Sequence, residues 1–202
     1  AAGKSLIAGF LRECGAYIID ADVIAREIVE PGEEAYNDVV KTFGERVLQK
    51  DGNIDRAALG RIVFSKKADL KTLNRIMLPR IIEEEKKRMK AILKKQPEAL
   101  IVINAPLLIE SGHYREMDKI IVVDIDEELQ IERAEQKGFT GKEARARIRS
   151  QMKRTERLRY ADYIIDNSLD IKTAKERTRE VFASLKRMMP EGPSKQVNNV
   201  RR

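Results

Sequence analysis

The chain has no tryptophan, one cysteine, one histidine and only 5% aromatic residues among its 202. Each shortage removes a class of explanation. The single thiol, Cys14, can form no internal disulfide, which fits a reducing compartment and makes it a buried or half-buried bystander. The single imidazole, His113, lies in a loop after Gly112 without the partners of a histidine metal site, and no catalytic task is expected of it. No apolar run approaches ~18 residues, so no membrane span is expected, and no secretory signal is visible. The expected location is therefore cytoplasmic. What remains is 42% hydrophobic and 36% charged residues with a net charge of +7, suited to one helix-rich domain with insertions and a sizeable core. Internal repeats and low-complexity tracts are not apparent.

The first five residues, Ala1-Ala2-Gly3-Lys4-Ser5, read as the end of G-x-x-x-x-G-K-[ST]. In that signature backbone N–H groups surround a nucleotide's phosphates, the lysine neutralises the transferred phosphate and the hydroxyl binds Mg²⁺. Gly-Lys-Ser alone could equally open an ordinary helix. The following segment adds weight. Leu6-Ile7 and Phe10-Leu11 recur at helical spacing and Gly15 can end the helix, whose N-terminal dipole would face the phosphates. Tyr17-Ile18-Ile19 then reads as a buried strand ending in Asp20-Ala21-Asp22. Two carboxylates thus stand at the C-terminal end of a parallel strand, where open α/β sheets bind ligands.

Further strands are expected at Leu100–Ile103, Ile120–Val123 and Tyr163–Ile165, each short and β-branched. Helices are expected near 33–43, 56–64 and 66–95, the last interrupted at Pro79, and a final one runs from Asp170 to about Met189. Strands alternating with helices imply a parallel sheet covered on both faces. Residues 31–95 hold no strand and form a helical insertion. Two basic clusters stand out. Lys86-Lys87-Arg88 with Lys90, Lys94 and Lys95 shares a helix with Glu83-Glu84-Glu85 and reads as a solvated face. From Lys142 to Arg159, eight more cations including Arg145, Arg147, Arg149, Arg154 and Arg157 suit a flap over phosphates, since arginine binds phosphate bidentately. RNA binding would use the same groups.

Several motifs together carry a resemblance: Ile19-Asp20-Ala21-Asp22 with Ala25-Arg26, Gly52-Asn53-Ile54-Asp55-Arg56-Ala57-Ala58-Leu59, and Pro106-Leu107-Leu108-Ile109-Glu110-Ser111-Gly112. Val122-Val123-Asp124, Ala146-Arg147-Ile148 with Ser150-Gln151-Met152, and Ala161-Asp162-Tyr163-Ile164-Ile165-Asp166-Asn167-Ser168 continue it. In order and spacing the chain resembles the dephospho-coenzyme A kinase family over nearly its whole length. The resemblance implies an α/β P-loop NTPase of the nucleoside-monophosphate-kinase type, sheet order 2-3-1-4-5, that moves the γ-phosphate of ATP to the 3′-hydroxyl of dephospho-coenzyme A. It implies a nucleotide-binding core (1–30, 97–137, 159–189), a helical CoA-binding insertion (31–96), a lid (138–158) and a flexible tail (190–202).

Roles carried over from the family follow residue by residue. Ala1, Ala2, Gly3, Lys4, Ser5 and Leu6 would contact ATP, with Lys4 and Ser5 on the β- and γ-phosphates and on Mg²⁺. Asp22 would be the catalytic base meeting the attacking hydroxyl. Asp20 would reach Mg²⁺ through water or order the strand end, and Arg26 would hold substrate phosphate, pair with Asp22 or form a surface ion pair. Arg147 is the expected lid arginine, ahead of Arg154 and Arg157. Asn167 would contact adenine of ATP or cap a turn; Pro106, Leu107 and Leu108 would wall the acceptor pocket, and Arg56 would anchor the insertion. Two positions depart from the family pattern: Leu6 replaces a second hydroxyl residue, and Leu78-Pro79 the more usual His-Pro. The first loop glycine and the central strand before it would lie upstream of Ala1, so the expectation is a longer protein. A chain starting at Ala1 would fold poorly and bind ATP weakly. Another small-molecule P-loop kinase and a basic RNA- or protein-binding module are the competing readings. Dephospho-coenzyme A is the expected partner, nucleic acid and membrane are not, and oligomeric state is left open.

Overall fold

The computed structural model describes residues 2–189; Ala1 and the tail 190–202, to which the sequence assigns a nucleotide contact and flexibility, lie outside that range. The elements run α1 (Lys4–Glu13), β1 (Tyr17–Asp20), α2 (Ala21–Glu27), α3 (Glu34–Phe43), α4 (Arg56–Ser65), α5 (Lys67–Lys95), β2 (Ile101–Asn104), β3 (Ile121–Asp124), α6 (Glu127–Glu135), α7 (Gly141–Arg149), α8 (Arg154–Arg157), β4 (Tyr163–Asp166) and α9 (Ile171–Met188). The strands form two parallel pairs, β1 with β2 and β3 with β4. These are the two pairs that order 2-3-1-4-5 leaves when its central first strand lies outside the chain.

Period-two alternation explains how helices cover both faces. Ile18 and Val102 join Ile7, Phe10 and Leu11 of α1, with Ile165 and Ala174 of β4 and α9, in a core to which Ile121 and Val123 of the second pair also contribute. Their neighbours Ile19, Ile101 and Ile103 face the other way, against Ile24 of α2 and Ile81 of α5. The register then decides what stands at the strand ends. Asp20 pairs with Asn104, and Asp124 with Asp166, so polar groups from four apolar strands gather on one C-terminal edge.

The insertion has a core of its own. Val39 and Phe43 of α3, Val47, Ile54 and Val63 of α4 are buried together, with Leu70, Leu73, Ile76 and Met77 of α5 packed against them. Inside it the only pairing among the described residues is one antiparallel bridge, Leu48 to Ile54, in keeping with a segment free of strands. The expected interruption at Pro79 is corrected: α5 runs unbroken from Lys67 to Lys95. Proline removes one ladder hydrogen bond, but α5 packs on α2, α3, α4 and β1, and the Arg80 Nη1 donates to the Ile76 carbonyl at 2.9 Å. Burial on several sides holds the helix through its weakest turn. In the lid region, Ile131 and Ala134 of α6 pack on Ala144 of α7, with Phe139 and Ile148 beside them. The Thr140 and Glu143 side chains cap the start of α7 reciprocally. The basic segment after Lys142 is thus divided between α7, α8 and a 3-10 turn at Leu158–Tyr160.

Candidate functional site

Helix α1 begins where a phosphate-binding helix must. Its N-cap, Gly3, has φ +88° and offers no side-chain cap, leaving the first backbone N–H groups of α1 directed outward. Glycine is required there twice over. An L-residue would be strained at that φ, and a Cβ would come within 2.0 Å of the Asn167 Nδ2. That same amide donates to the Ala2 carbonyl at 2.9 Å, while the Asn167 backbone N–H donates to the Asp124 carbonyl at 2.9 Å. Asn167, 2% exposed, therefore ties the end of β4 to the loop that opens α1. This geometry is that of a loop anchor, a role distinct from the adenine contact and the turn cap expected of it.

Asp20 closes β1 and opens α2. Its Oδ1 accepts from the Asp22 and Val23 backbone N–H groups at 2.8 and 3.3 Å, and its Oδ2 accepts from the Asn104 Nδ2 at 2.8 Å. Of its two expected roles, ordering the strand end is the one these bonds perform. With Asp20 fixed as the cap, Asp22 projects from the first turn of α2 toward Lys4. Burial raises the Asp22 carboxyl above its ordinary value and Asp20 adds to this, against the opposing pull of Lys4 and Arg26. Burial lowers the Lys4 ammonium, with Arg157 acting in the same sense and Asp22, Glu110 and Asp20 against it. Each group is pushed toward its neutral form. An anionic ligand would restore the charge on Lys4, and a hydroxyl beside Asp22 would meet a carboxylate more basic than usual.

The lid arginines divide in a way the sequence did not indicate. Arg157 is the one whose charge reaches Lys4. Arg154 is committed elsewhere, its Nε and Nη2 each 2.7 Å from the Asp124 carboxylate and its Nη1 2.6 Å from Asp126, a bidentate clamp that holds Asp124 well below its usual range. Arg147, the expected lid arginine, lies with its guanidinium 4.2 Å from the centroid of Phe139 and 5.0 Å from that of Phe64. It bridges the lid to α4 of the insertion. Leu6 is exposed one residue beyond Ser5, where it offers no hydroxyl.

Two hollows open near this end of α2, and Asp22 lines the smaller of them. One, of about 500 Å³, is lined by Arg26, Arg56, Gln49, Asn53 and Asp55 among others. Among the described residues neither Arg26 nor Arg56 has a carboxylate partner, and burial, with Arg26 nearby, lowers the Arg56 guanidinium. The two guanidiniums share this hollow with the carboxylates of Glu30 and Asp55 without ion-pairing to them, which leaves both able to meet an anion there. The other hollow, of about 210 Å³, includes Asp22, Leu73, Met77, Leu78, Ile82, Pro106, Leu107 and Leu108. Pro106, Leu107 and Leu108 thus line a hollow that α5 faces.

Four residues at these sites were missed in the sequence. Asn104 holds Asp20, and its signal was its position directly after an apolar strand. Glu110 accepts from the Met152 backbone N–H at 2.9 Å and joins the Pro106–Gly112 loop to the lid beside Lys4. Glu85, expected on a solvated face, is 1% exposed, and His113, expected in an idle loop, is 5% exposed at the start of a 3-10 turn. Ser5 and Asp20 are the residues at this end of the site with oxygens that Mg²⁺ would use, and both oxygens of Asp20 already accept hydrogen bonds from the protein. No group of three acidic, histidine or cysteine residues that could hold a metal occurs among the described residues, and Mg²⁺ fits the available oxygens because it binds through few carboxylates plus substrate phosphates.

Comparison with known proteins adds independent findings. A family model described as dephospho-CoA kinase matches residues 1–173. The dephospho-CoA kinase of Geobacillus kaustophilus is 41% identical over 187 residues, covering 92% of this chain and 91% of its own. The crystal structure of TT1252 from Thermus thermophilus superposes with a TM-score of 0.72 at 26% identity, over 94% of this chain and 93% of that one. The dephospho-CoA kinase from Campylobacter jejuni gives 0.65 at 31% identity, over 93% of each.

Proposed function

The chain belongs to the dephospho-CoA kinase family and phosphorylates dephospho-CoA with ATP, the last step of CoA synthesis, and we propose that Asp22 is the point where donor and acceptor meet. The observation that carries this is the position of Asp22, whose carboxylate feels the charge of Lys4 at the N-terminus of α1 and also lines the smaller hollow against α5. ATP lies with its β- and γ-phosphates on the α1 N-terminus, Lys4 and Ser5. Phosphoryl transfer is mostly positioning and charge neutralisation. Ser5 and Asp20 would hold Mg²⁺, which would supply neutralisation of phosphate charge. Asp22 accepts a hydrogen bond from the 3′-hydroxyl of dephospho-CoA, aims it at the γ-phosphorus and takes its proton as the bond forms.

Arg157 is placed to follow the transferring phosphate, since it already shares space with Lys4. Arg147, which the family resemblance selects, reaches the phosphates only by leaving Phe139 and Phe64. Arg26 and Arg56 receive the acceptor's diphosphate, and the insertion 31–96 encloses the rest. A free basic stripe for RNA is not what the lid presents: Arg154 is bound to Asp124 and Asp126, and Arg147 is stacked on aromatic rings. No helix among the described residues is long and apolar enough to cross a membrane.

The test is ADP release from MgATP with dephospho-CoA as acceptor, run beside nucleoside monophosphates. Turnover with dephospho-CoA at least a hundredfold above any nucleotide, in kcat/KM, is the expected result. Comparable turnover with a nucleoside monophosphate would reassign the acceptor pocket, and tight salt-sensitive RNA binding without turnover would replace the kinase reading.

A further inference from the structure

The smaller hollow has a polar end that the mechanism does not use. Glu85, on α5, and His113, after Gly112, both line it and both are buried, at 1% and 5% exposure. The His113 Nδ1 lies 3.2 Å from the Glu85 Oε2, yet neither Glu85 oxygen completes a hydrogen bond within the protein. A buried carboxyl without partners is costly, because its desolvation is not repaid. Apart from this pair, Asp22, Asn74 and Ser111, the lining is Leu, Ile, Met, Ala and Pro, and no lysine or arginine contributes.

The acceptor's connectivity assigns this hollow. With the ribose 3′-hydroxyl at Asp22, two substituents of that ribose must leave in different directions, the 5′-diphosphate and the base. The larger cleft carries Arg26 and Arg56 and suits the diphosphate. The smaller one has apolar walls and no cation, so it would exclude a diphosphate and cover a flat heterocycle. We infer that this hollow binds the adenine of the acceptor, and that Glu85, beside His113, accepts a hydrogen bond from its exocyclic amine and so determines specificity for that base. The inference rests on the proposed placement of the acceptor hydroxyl at Asp22. Satisfying the orphaned carboxyl only when the right base is present is how a pocket rejects an analogue lacking the matching donor.

The experiment compares dephospho-CoA with its analogue carrying unsubstituted purine in place of adenine, which lacks the exocyclic amine and keeps the ring nitrogens. For the wild-type protein kcat/KM for the purine acceptor is expected to fall tenfold to a hundredfold, chiefly through KM, as for loss of one hydrogen bond to a buried charged or acidic group. In Glu85→Leu the ratio between the two acceptors collapses to within about threefold, with the adenine acceptor losing affinity more than turnover. Glu85→Met serves as a second variant of different shape, and thermal melts establish that each is folded. Equal kcat/KM for both acceptors in the wild-type protein overturns the inference without any variant, and so does discrimination that persists in folded Glu85→Leu or Glu85→Met. Turnover with both acceptors and no discrimination leaves the kinase reading standing while this inference fails; no turnover with either removes both.

Discussion

Replacing Glu85 with glutamine should stabilise the protein, and by an amount that grows with pH. Burial among apolar side chains raises the Glu85 carboxyl from the ordinary 4.5 to about 7. The folded state therefore binds a proton that the unfolded state has lost anywhere between those values. The stability this carboxyl contributes is complete below 4.5 and is lost as pH rises through about 7. With each pKa unit equal to about 1.4 kcal/mol, the loss between pH 4.5 and 8 approaches about 3 kcal/mol. Glutamine keeps the shape and has no proton to lose, so the stability difference between Glu85→Gln and wild type should rise by up to that amount across the interval. His113 faces Glu85, with Lys86 and Glu116 nearby. Burial lowers the imidazole, against the pull of Glu116, and this costs stability in the opposite direction, as pH falls below 6.5. That effect is common to both proteins and largely cancels in the difference. Urea or thermal unfolding at pH 5, 6, 7 and 8 measures it, at about 2–4 °C in Tm per kcal/mol for a chain of this size. A flat difference curve, or a glutamine variant less stable at pH 8, would refute the reasoning that Glu85 is buried and unpartnered.

The other expectations concern the phosphate end of the site. Gly3→Ala places a methyl where the Asn167 amide now lies, 2.0 Å away, and at a φ alanine resists, so KM for ATP should rise about tenfold or more as the loop yields; an unchanged KM in steady-state kinetics would contradict the anchor. Arg157→Ala should lower kcat by about a hundredfold or more if its guanidinium follows the phosphate, whereas Arg147→Ala should act first on the lid's contact with Phe64. Comparing the two in single-turnover assays decides which arginine meets the transition state, and a larger loss at Arg147 would show that the lid rotates before transfer.

How far the sequence led depends on how local each signal was. The positions of Lys4 and Ser5 at the start of α1, and of Asp20 and Asp22 at the turn from β1 into α2, followed from local signals, a glycine before a helix and an apolar strand ending in carboxylates. The strand pairs were legible because β-branched runs with period-two burial leave few other choices. Glu85 was not, because Glu83-Glu84-Glu85 looks uniformly solvated until the rotation of α5 turns the third inward against the Pro106–Gly112 loop. His113 was missed with it, since each is explained only by the other. Arg147, Arg154 and Arg157 share one basic segment, and which of them reaches Lys4 depends on where the chain bends between α7 and α8. Continuity of α5 through Pro79 likewise belongs to packing, since propensity alone argues for a break.

The most direct test of the account is Asp22→Asn, with binding and turnover measured on the same preparation. Asparagine keeps the volume and the hydrogen-bonding capacity in the first turn of α2 but cannot take the proton. Calorimetric binding of dephospho-CoA and of ATP should change by less than about threefold, while kcat falls by at least a hundredfold, the range typical of losing a general base. Near-normal turnover, or loss of acceptor binding in proportion to the loss of rate, would contradict the placement of the reacting hydroxyl at Asp22.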